Sequence, residues 1–303
     1  MHKELKKRRL NPMILLHGLP GTGKSTLCRA LVQKISIRLN NYYPRTTLVQ
    51  IKTSMFFSKW FSESAKQVDC LFTAIEQMCQ KDRKHLICVL IDEVESIAGS
   101  RLSGSTNGGS QDNLRATNAF LTGFDKLKFQ PNIIVLATTN MIDHLDSAFV
   151  DRCGLKLEIS PPSAIVTQYK ILRRCFLGLI KSNIIKADGV EMFDWTAVIP
   201  SYTEASTYET LVTLDDPGTR LLRIVRRLNS NSAGQECRIV VSGRFLSQLP
   251  ELGIMQYMEN DSCSLAMALD YVERIANAQS DDKVKAKHES PLGASSHSTN
   301  ERL

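Results

Sequence analysis

Between His17 and Leu31 the chain reads HGLPGTGKSTLCRAL. Gly18 to Ser25 fits the spacing G-x-x-x-x-G-K-S, a pattern whose chemistry is polyphosphate binding. Glycines let backbone N–H groups close around a β-phosphate, and a helix starting near Ser25 adds its positive end. Lys24 is placed to reach the β- and γ-phosphates, and the Ser25 hydroxyl to coordinate Mg²⁺. Gly18, Pro20, Gly21, Thr22, Gly23, Lys24, Ser25 and Thr26 are the residues expected to contact nucleotide.

A second acidic signal lies further on. HLICVLIDEVE, residues 85–95, is an apolar run that ends in acids. Asp92 is expected to hold Mg²⁺ together with Ser25, directly or through water. Glu93 would project from the strand end toward the γ-phosphate, where a carboxylate can orient or deprotonate an attacking water. A third strand candidate, NIIVLATTN, ends at Asn140, whose side chain is expected to hold the same water. The Asp-Glu pair favours hydrolysis over transfer to a substrate hydroxyl. The absence of an Asn-Lys-x-Asp guanine reader argues against a GTP switch.

These residues need a scaffold. MILLHG (13–18) and TTLVQIK (46–52) read as strands, along with the two runs above. A helix is expected over 25–39, with Leu27, Ala30, Leu31, Lys34 and Ile35 at helical spacing, and others over 57–80 and 114–127. Gly/Ser-rich 99–113 reads as a loop. Continuously apolar strands alternating with helices predict an α/β fold, a parallel sheet covered on both faces. After Pro161-Pro162 the pattern becomes helical. The domain reading is a basic segment at 1–12, a P-loop domain at 13–160, a helical lid at 161–278 and a disordered tail at 279–303, where apolar residues nearly vanish.

Composition narrows the classes. The 303 residues are 43% hydrophobic and 23% charged, in the range of a globular protein. No run approaches the ~18 apolar residues of a membrane span. The eight cysteines include no Cys-x-x-Cys pair, which argues against a zinc site and fits a reducing compartment. The net charge of +7 is concentrated in MHKELKKRRL and in arginines at 173, 174, 220, 223, 226 and 227, whose helical spacing suggests solvated faces. No aromatics are interleaved with them, so direct nucleic-acid binding is not expected.

The order of motifs resembles the AAA+ ATPases: P-loop, Asp-Glu pair, polar strand end, arginine-bearing segment, helical lid. SMFFSKWFSESAKQV, VLIDEVESIA, AFVDRCGLKLEISPPSA and VSGRFLSQLP narrow it to the pachytene checkpoint family, over about residues 11–277. The resemblance implies that Arg152 acts on a neighbouring subunit's nucleotide and Arg244 on that of its own subunit. It places Lys59, Trp60 and Phe61 on a pore loop that grips a threaded segment, and makes 99–113 a second pore loop. It further implies ATP and Mg²⁺ as cofactors, a homo-hexamer, and HORMA-domain substrates engaged through an adaptor. The setting would be spindle-checkpoint or meiotic chromosome-axis control, in the nucleus, in the cytoplasm or on chromosomes.

Three features depart from the family pattern. Only a short basic segment precedes the P-loop, where the family carries a recognition domain. Leu19-Pro20 and Ser25 stand where Pro-Pro and Thr are usual. Residues 204–238 fit poorly. Two alternatives therefore remain open: a nucleotide-binding ring subunit that does not engage substrate, and a DNA-linked AAA+ ATPase.

Overall fold

The computed structural model describes residues 11–52, 64–98, 109–186, 198–211, 216–229 and 241–288. The chain divides after Ser160 into two compact units. In the first, β1 (Met13–His17) leads into α1 (Lys24–Arg38), then β2 (Arg45–Lys52), α2 (Ser64–Lys81) and β3 (His85–Asp92). There follow α3 (Glu95–Ala98), α4 (Gly109–Leu127), β4 (Ile133–Thr139), α5 (Ser147–Arg152) and β5 (Leu155–Glu158).

The five strands form one parallel sheet in the order β2-β3-β4-β1-β5. Alternation along β3 shows why its run is wholly apolar. Ile87, Val89 and Ile91 face a cluster with Val68, Phe72, Phe120 and Phe124, while Leu86, Cys88 and Leu90 face one with Leu16, Cys28 and Val32. Both sides of the strand are thus out of water, as a parallel sheet covered on two faces requires. Phe72 meets Phe120 and Phe124 edge-on at 5.4 and 5.1 Å between ring centres.

The strand and helix order agrees with the sequence reading, apart from the differences that follow. On α1 the inward stripe is Cys28, Leu31, Val32 and Ile35, whereas Leu27 and Ala30 are exposed. The helix expected from 114 begins at Gly109 and so takes up part of the expected loop; residues 99–108 lie outside the described set. β5 was not expected. All four of its residues are exposed at a sheet edge, so no buried apolar run announces it. Lys59, Trp60 and Phe61 also lie outside the described residues.

The second unit contains α6 (Ile165–Lys181), α7 (Tyr202–Leu211), α8 (Pro217–Asn229), α9 (Gly243–Tyr257) and α10 (Leu265–His288). A two-residue parallel pair, β6 (Ile185–Lys186) and β7 (Cys263–Ser264), accompanies them. Tyr169, Leu172, Phe176, Leu221, Leu246 and Val272 belong to its separate core. Within the tail expected from 279, the backbone of α10 stays helical to His288, and residues 289–303 lie outside the described set.

The arginines of α8 are not simply solvated. Arg220 pairs with Asp270 and Arg226 with Glu209, and Arg227 lies 3.2 Å from Glu273. Arg173 on α6 donates its Nε–H to the carbonyls of Ile199 and Pro200 at 2.8 and 3.0 Å. Four of these arginines are therefore engaged inside the lid unit.

Candidate functional site

The strand register brings the chemistry together. His17 pairs with Thr139 and Ile91 with Ala137, so β1, β3 and β4 end side by side. Ligands of open parallel sheets bind outside such carboxyl ends.

The loop after β1 is shaped by its glycines. Gly18, Gly21 and Gly23 have φ of 142°, 76° and 92°, conformations that L side chains rarely adopt. A Cβ at Gly18 would overlap the Ile159 carbonyl. Gly23 caps α1 without a side chain, leaving first-turn N–H groups for an anion. Thr22 Oγ1 donates to the Leu19 carbonyl at 3.0 Å and tightens the loop. Lys24, only 7% exposed as a residue, donates from its ammonium to the carbonyls of Gly18 and Leu19, each at 2.8 Å. Thr26, on the next residue of the helix, is exposed.

Ser25 reaches across to the second signal. Its Oγ donates to Asp92 Oδ1 at 2.8 Å, so the loop hydroxyl and the strand carboxylate share one point. Both are hard oxygen donors suited to Mg²⁺, which takes one or two protein carboxylates alongside substrate phosphates. No cluster of three His, Cys, Asp or Glu occurs among the described residues. The donor set therefore fits a metal that arrives with a nucleotide better than a fully protein-caged one.

Glu93 is exposed and takes φ of 56°, a left-handed conformation uncommon outside glycine. Its N–H points to Thr138 Oγ1 at 3.3 Å, and the next N–H, of Val94, donates to the Thr138 carbonyl at 3.0 Å. The Thr138 hydroxyl in turn donates to Asp92 Oδ1. Asn140 was expected to serve the same water as Glu93. Here it donates from its backbone N–H and its Nδ2 to Glu95 Oε1, at 3.2 and 3.3 Å. The structure thus adds Thr138 and Glu95 to the residues read from sequence. The sequence signal was the run Thr138-Thr139-Asn140, of which only the asparagine was singled out.

Arg152 ends α5, a helix capped by Asp146, which accepts from the Ala148 N–H at 2.8 Å. Its guanidinium is forked onto Asp125, and Nη1 donates to the Ala148 carbonyl at 2.8 Å. The hydrogen bond that Arg152 donates to Asp125, more than neighbouring charge, raises its pKa above the usual arginine value. Arg244 lies in the second unit, exposed in the first turn of α9, where Ser242 accepts from the Phe245 N–H at 3.1 Å.

Comparison with known proteins agrees with this architecture. Residues 14–161 match the ATPase family associated with various cellular activities (AAA). Residues 164–280 match the TRIP13-like, AAA+ ATPase lid C-terminal domain. The class is thus an AAA domain followed by a dedicated lid. The chain is 34% identical over 275 residues to the Pachytene checkpoint protein 2 homolog of Gallus gallus, covering 91% of this chain and 59% of that relative. It is 44% identical over 204 residues to the homolog of Arabidopsis thaliana, covering 66% of this chain and 43% of that one. The solved structure of C. elegans PCH-2 superposes with a TM-score of 0.67 at 28% identity, over 90% of this chain and 63% of that chain. The chain belongs to the pachytene checkpoint family of AAA+ ATPases, and it spans only 43% of the length of the Arabidopsis thaliana relative and 59% of the Gallus gallus one.

Proposed function

We propose that this chain is an ATP-hydrolysing, protein-remodelling motor subunit that works as a homo-hexamer on HORMA-domain proteins, engaged through an adaptor. The observation that carries the hydrolytic part is the 2.8 Å approach of Ser25 Oγ to Asp92 Oδ1, with Glu93 exposed beside it. The loop N–H groups and Lys24 bind and orient the phosphates. Ser25 and Asp92 hold Mg²⁺, which supplies charge neutralisation when bound. Glu93 accepts the proton of, or orients, the attacking water, and Asn140 helps hold that water. Arg152 answers the charge developing on a neighbour's transferred phosphoryl group, and Arg244 senses the nucleotide of its own subunit.

The substrate class rests on family membership. A solved structure of the same fold, 18% identical with a TM-score of 0.60, is that of an E. coli MS115-1 HORMA:CdnC:Trip13 complex. Lys59, Trp60 and Phe61 are assigned to gripping the threaded segment. Checkpoint or meiotic work in the nucleus or cytoplasm follows from the same reading. The arginine pairing in the lid removes much of the motive for a DNA-linked alternative.

The test is the solution mass of Glu93→Gln with and without ATP and Mg²⁺. The substitution keeps nucleotide bound but removes the base, so an ATP-dependent hexamer is expected. A monomer with ATP bound would favour a nucleotide-binding subunit that needs further chain to assemble. Failure to bind ATP would overturn the reading.

A further inference from the structure

We propose that the Thr138 hydroxyl is a positioning residue for the Asp-Glu pair: one oxygen that fixes the Asp92 carboxylate and holds Glu93 in its left-handed turn. The inference deepens the hydrolytic reading above and rests on it.

Thr138 is 1% exposed on the last turn of the pleat before β4 ends. A buried hydroxyl without partners is costly, yet this one uses both of its functions. Its proton goes to Asp92 Oδ1, the oxygen that Ser25 also approaches. Its lone pair receives the Glu93 N–H at 3.3 Å. The geometry at Glu93 explains the need. A non-glycine residue at φ 56° is held against its own preference and persists only where neighbours over-determine it.

Two successive N–H groups, those of Glu93 and Val94, land on the side chain and the carbonyl of the same threonine. That is the over-determination required. It sets where the Glu93 side chain leaves the backbone, and it ties that direction to the carboxylate assigned to the metal. An alanine or valine at 138 would preserve the strand and the carbonyl bond to Val94, but would supply neither hydroxyl bond, to Asp92 or from Glu93.

The test compares Thr138→Val, which keeps the volume, with Thr138→Ser, which keeps the hydroxyl, in the full chain. Thr138→Val is expected to lower kcat by about ten- to a hundredfold with KM for MgATP within about twofold, the effect of losing an outer-shell partner rather than a binding group. Thr138→Ser restores most of that loss. Amide exchange supplies a readout independent of turnover. The Glu93 N–H is expected to lose protection in the valine variant and keep it in the serine variant. The Val94 N–H, bonded to the unaltered carbonyl, serves as the internal control for folding.

Wild-type kcat in Thr138→Val, or a serine variant no better than the valine one, overturns the proposal. So does unchanged Glu93 protection in Thr138→Val. Should the unsubstituted chain itself fail to hydrolyse ATP, the hydrolytic reading fails, and the exchange comparison still decides whether Thr138 holds the turn.

Discussion

Arg152 is held by a carboxylate of its own chain: Nη2 lies 2.9 Å from Asp125 Oδ2 and Nε 3.1 Å from Oδ1. The fork joins the end of α5 to the last turns of α4, across 27 residues. Both side chains keep contact with solvent, at 31% and 50% exposure, so the pair adds about 0–1 kcal/mol to folding. Arg152→Ala is therefore expected to shift Tm by less than about 4 °C. If the residue answers charge on a neighbour's nucleotide, turnover falls by about 10³ or more while nucleotide affinity is kept. Phosphate release alongside titration with a fluorescent nucleotide checks this, and full hydrolysis by the variant would remove Arg152 from its assigned role. Arg152→Lys should not rescue, since an ammonium cannot reproduce the planar fork.

Gly123 on α4 lies against the ring of Phe72 on α2, and a Cβ there would overlap the ring. Phe72 has no slack, because Phe120 and Phe124 pack its edges. Gly123→Ala should thus lose more to overpacking than it gains in helix propensity, a net cost of about 1–3 kcal/mol. Urea unfolding with an unchanged m-value would measure it. A more stable variant would mean that the two helices are packed less closely than described.

The sheet was legible because its buried strands announce themselves. His85 to Asp92 is apolar on both faces, and that leaves a continuous run with acids at its end. β5 carries no such mark, since Leu155 and Leu157 are 48% and 40% exposed and alternate with Lys156 and Glu158. The phosphate loop was readable for a related reason: positive φ at Gly18, Gly21 and Gly23 demands glycine at fixed spacing. The contacts of Thr138 with Asp92 and Glu93, and of Asn140 with Glu95, were not readable. They depend on the β3–β4 register, which brings residues 45 positions apart within hydrogen-bond reach. Asp125 was hidden likewise, as an acid on the exposed side of an amphipathic helix.

Glu95 receives both donors of Asn140, its backbone N–H and its amide, on one oxygen. The other oxygen, Oε2, is buried without a hydrogen-bond partner among the described residues. This pair ties the end of β4 to the turn after Glu93. Glu95→Ala should release the Asn140 side chain, and Glu95→Gln, which keeps a carbonyl acceptor, should hold it. If Asn140 serves the water assigned to it, Glu95→Ala and Asn140→Ala each lower kcat. The double variant should then be no worse than the more damaged single one, since residues acting as a unit are non-additive. Additive losses in a kinetic double-mutant cycle would show that the contact is incidental.

Four buried thiols set an alkaline limit on stability. Burial pushes Cys28, Cys79, Cys88 and Cys153 up to about 11, with the Asp92 charge adding to the rise at Cys28 and that of Glu76 at Cys79. In the unfolded chain these groups ionise near their ordinary value of 9.0. The folded state then binds more protons than the unfolded one, so stability falls as pH rises. Their contribution is complete below pH 9 and is lost progressively between about pH 9 and 11. Tm measured from pH 8 to 11 should decline across that window. Cys88→Val, which replaces a thiol on β3 with a residue suited to a buried strand, should make the decline shallower. At neutral pH these four should resist alkylation in the native protein while exposed Cys70 reacts. Rapid native labelling of Cys28 or Cys88 would show that the core around the nucleotide loop opens readily.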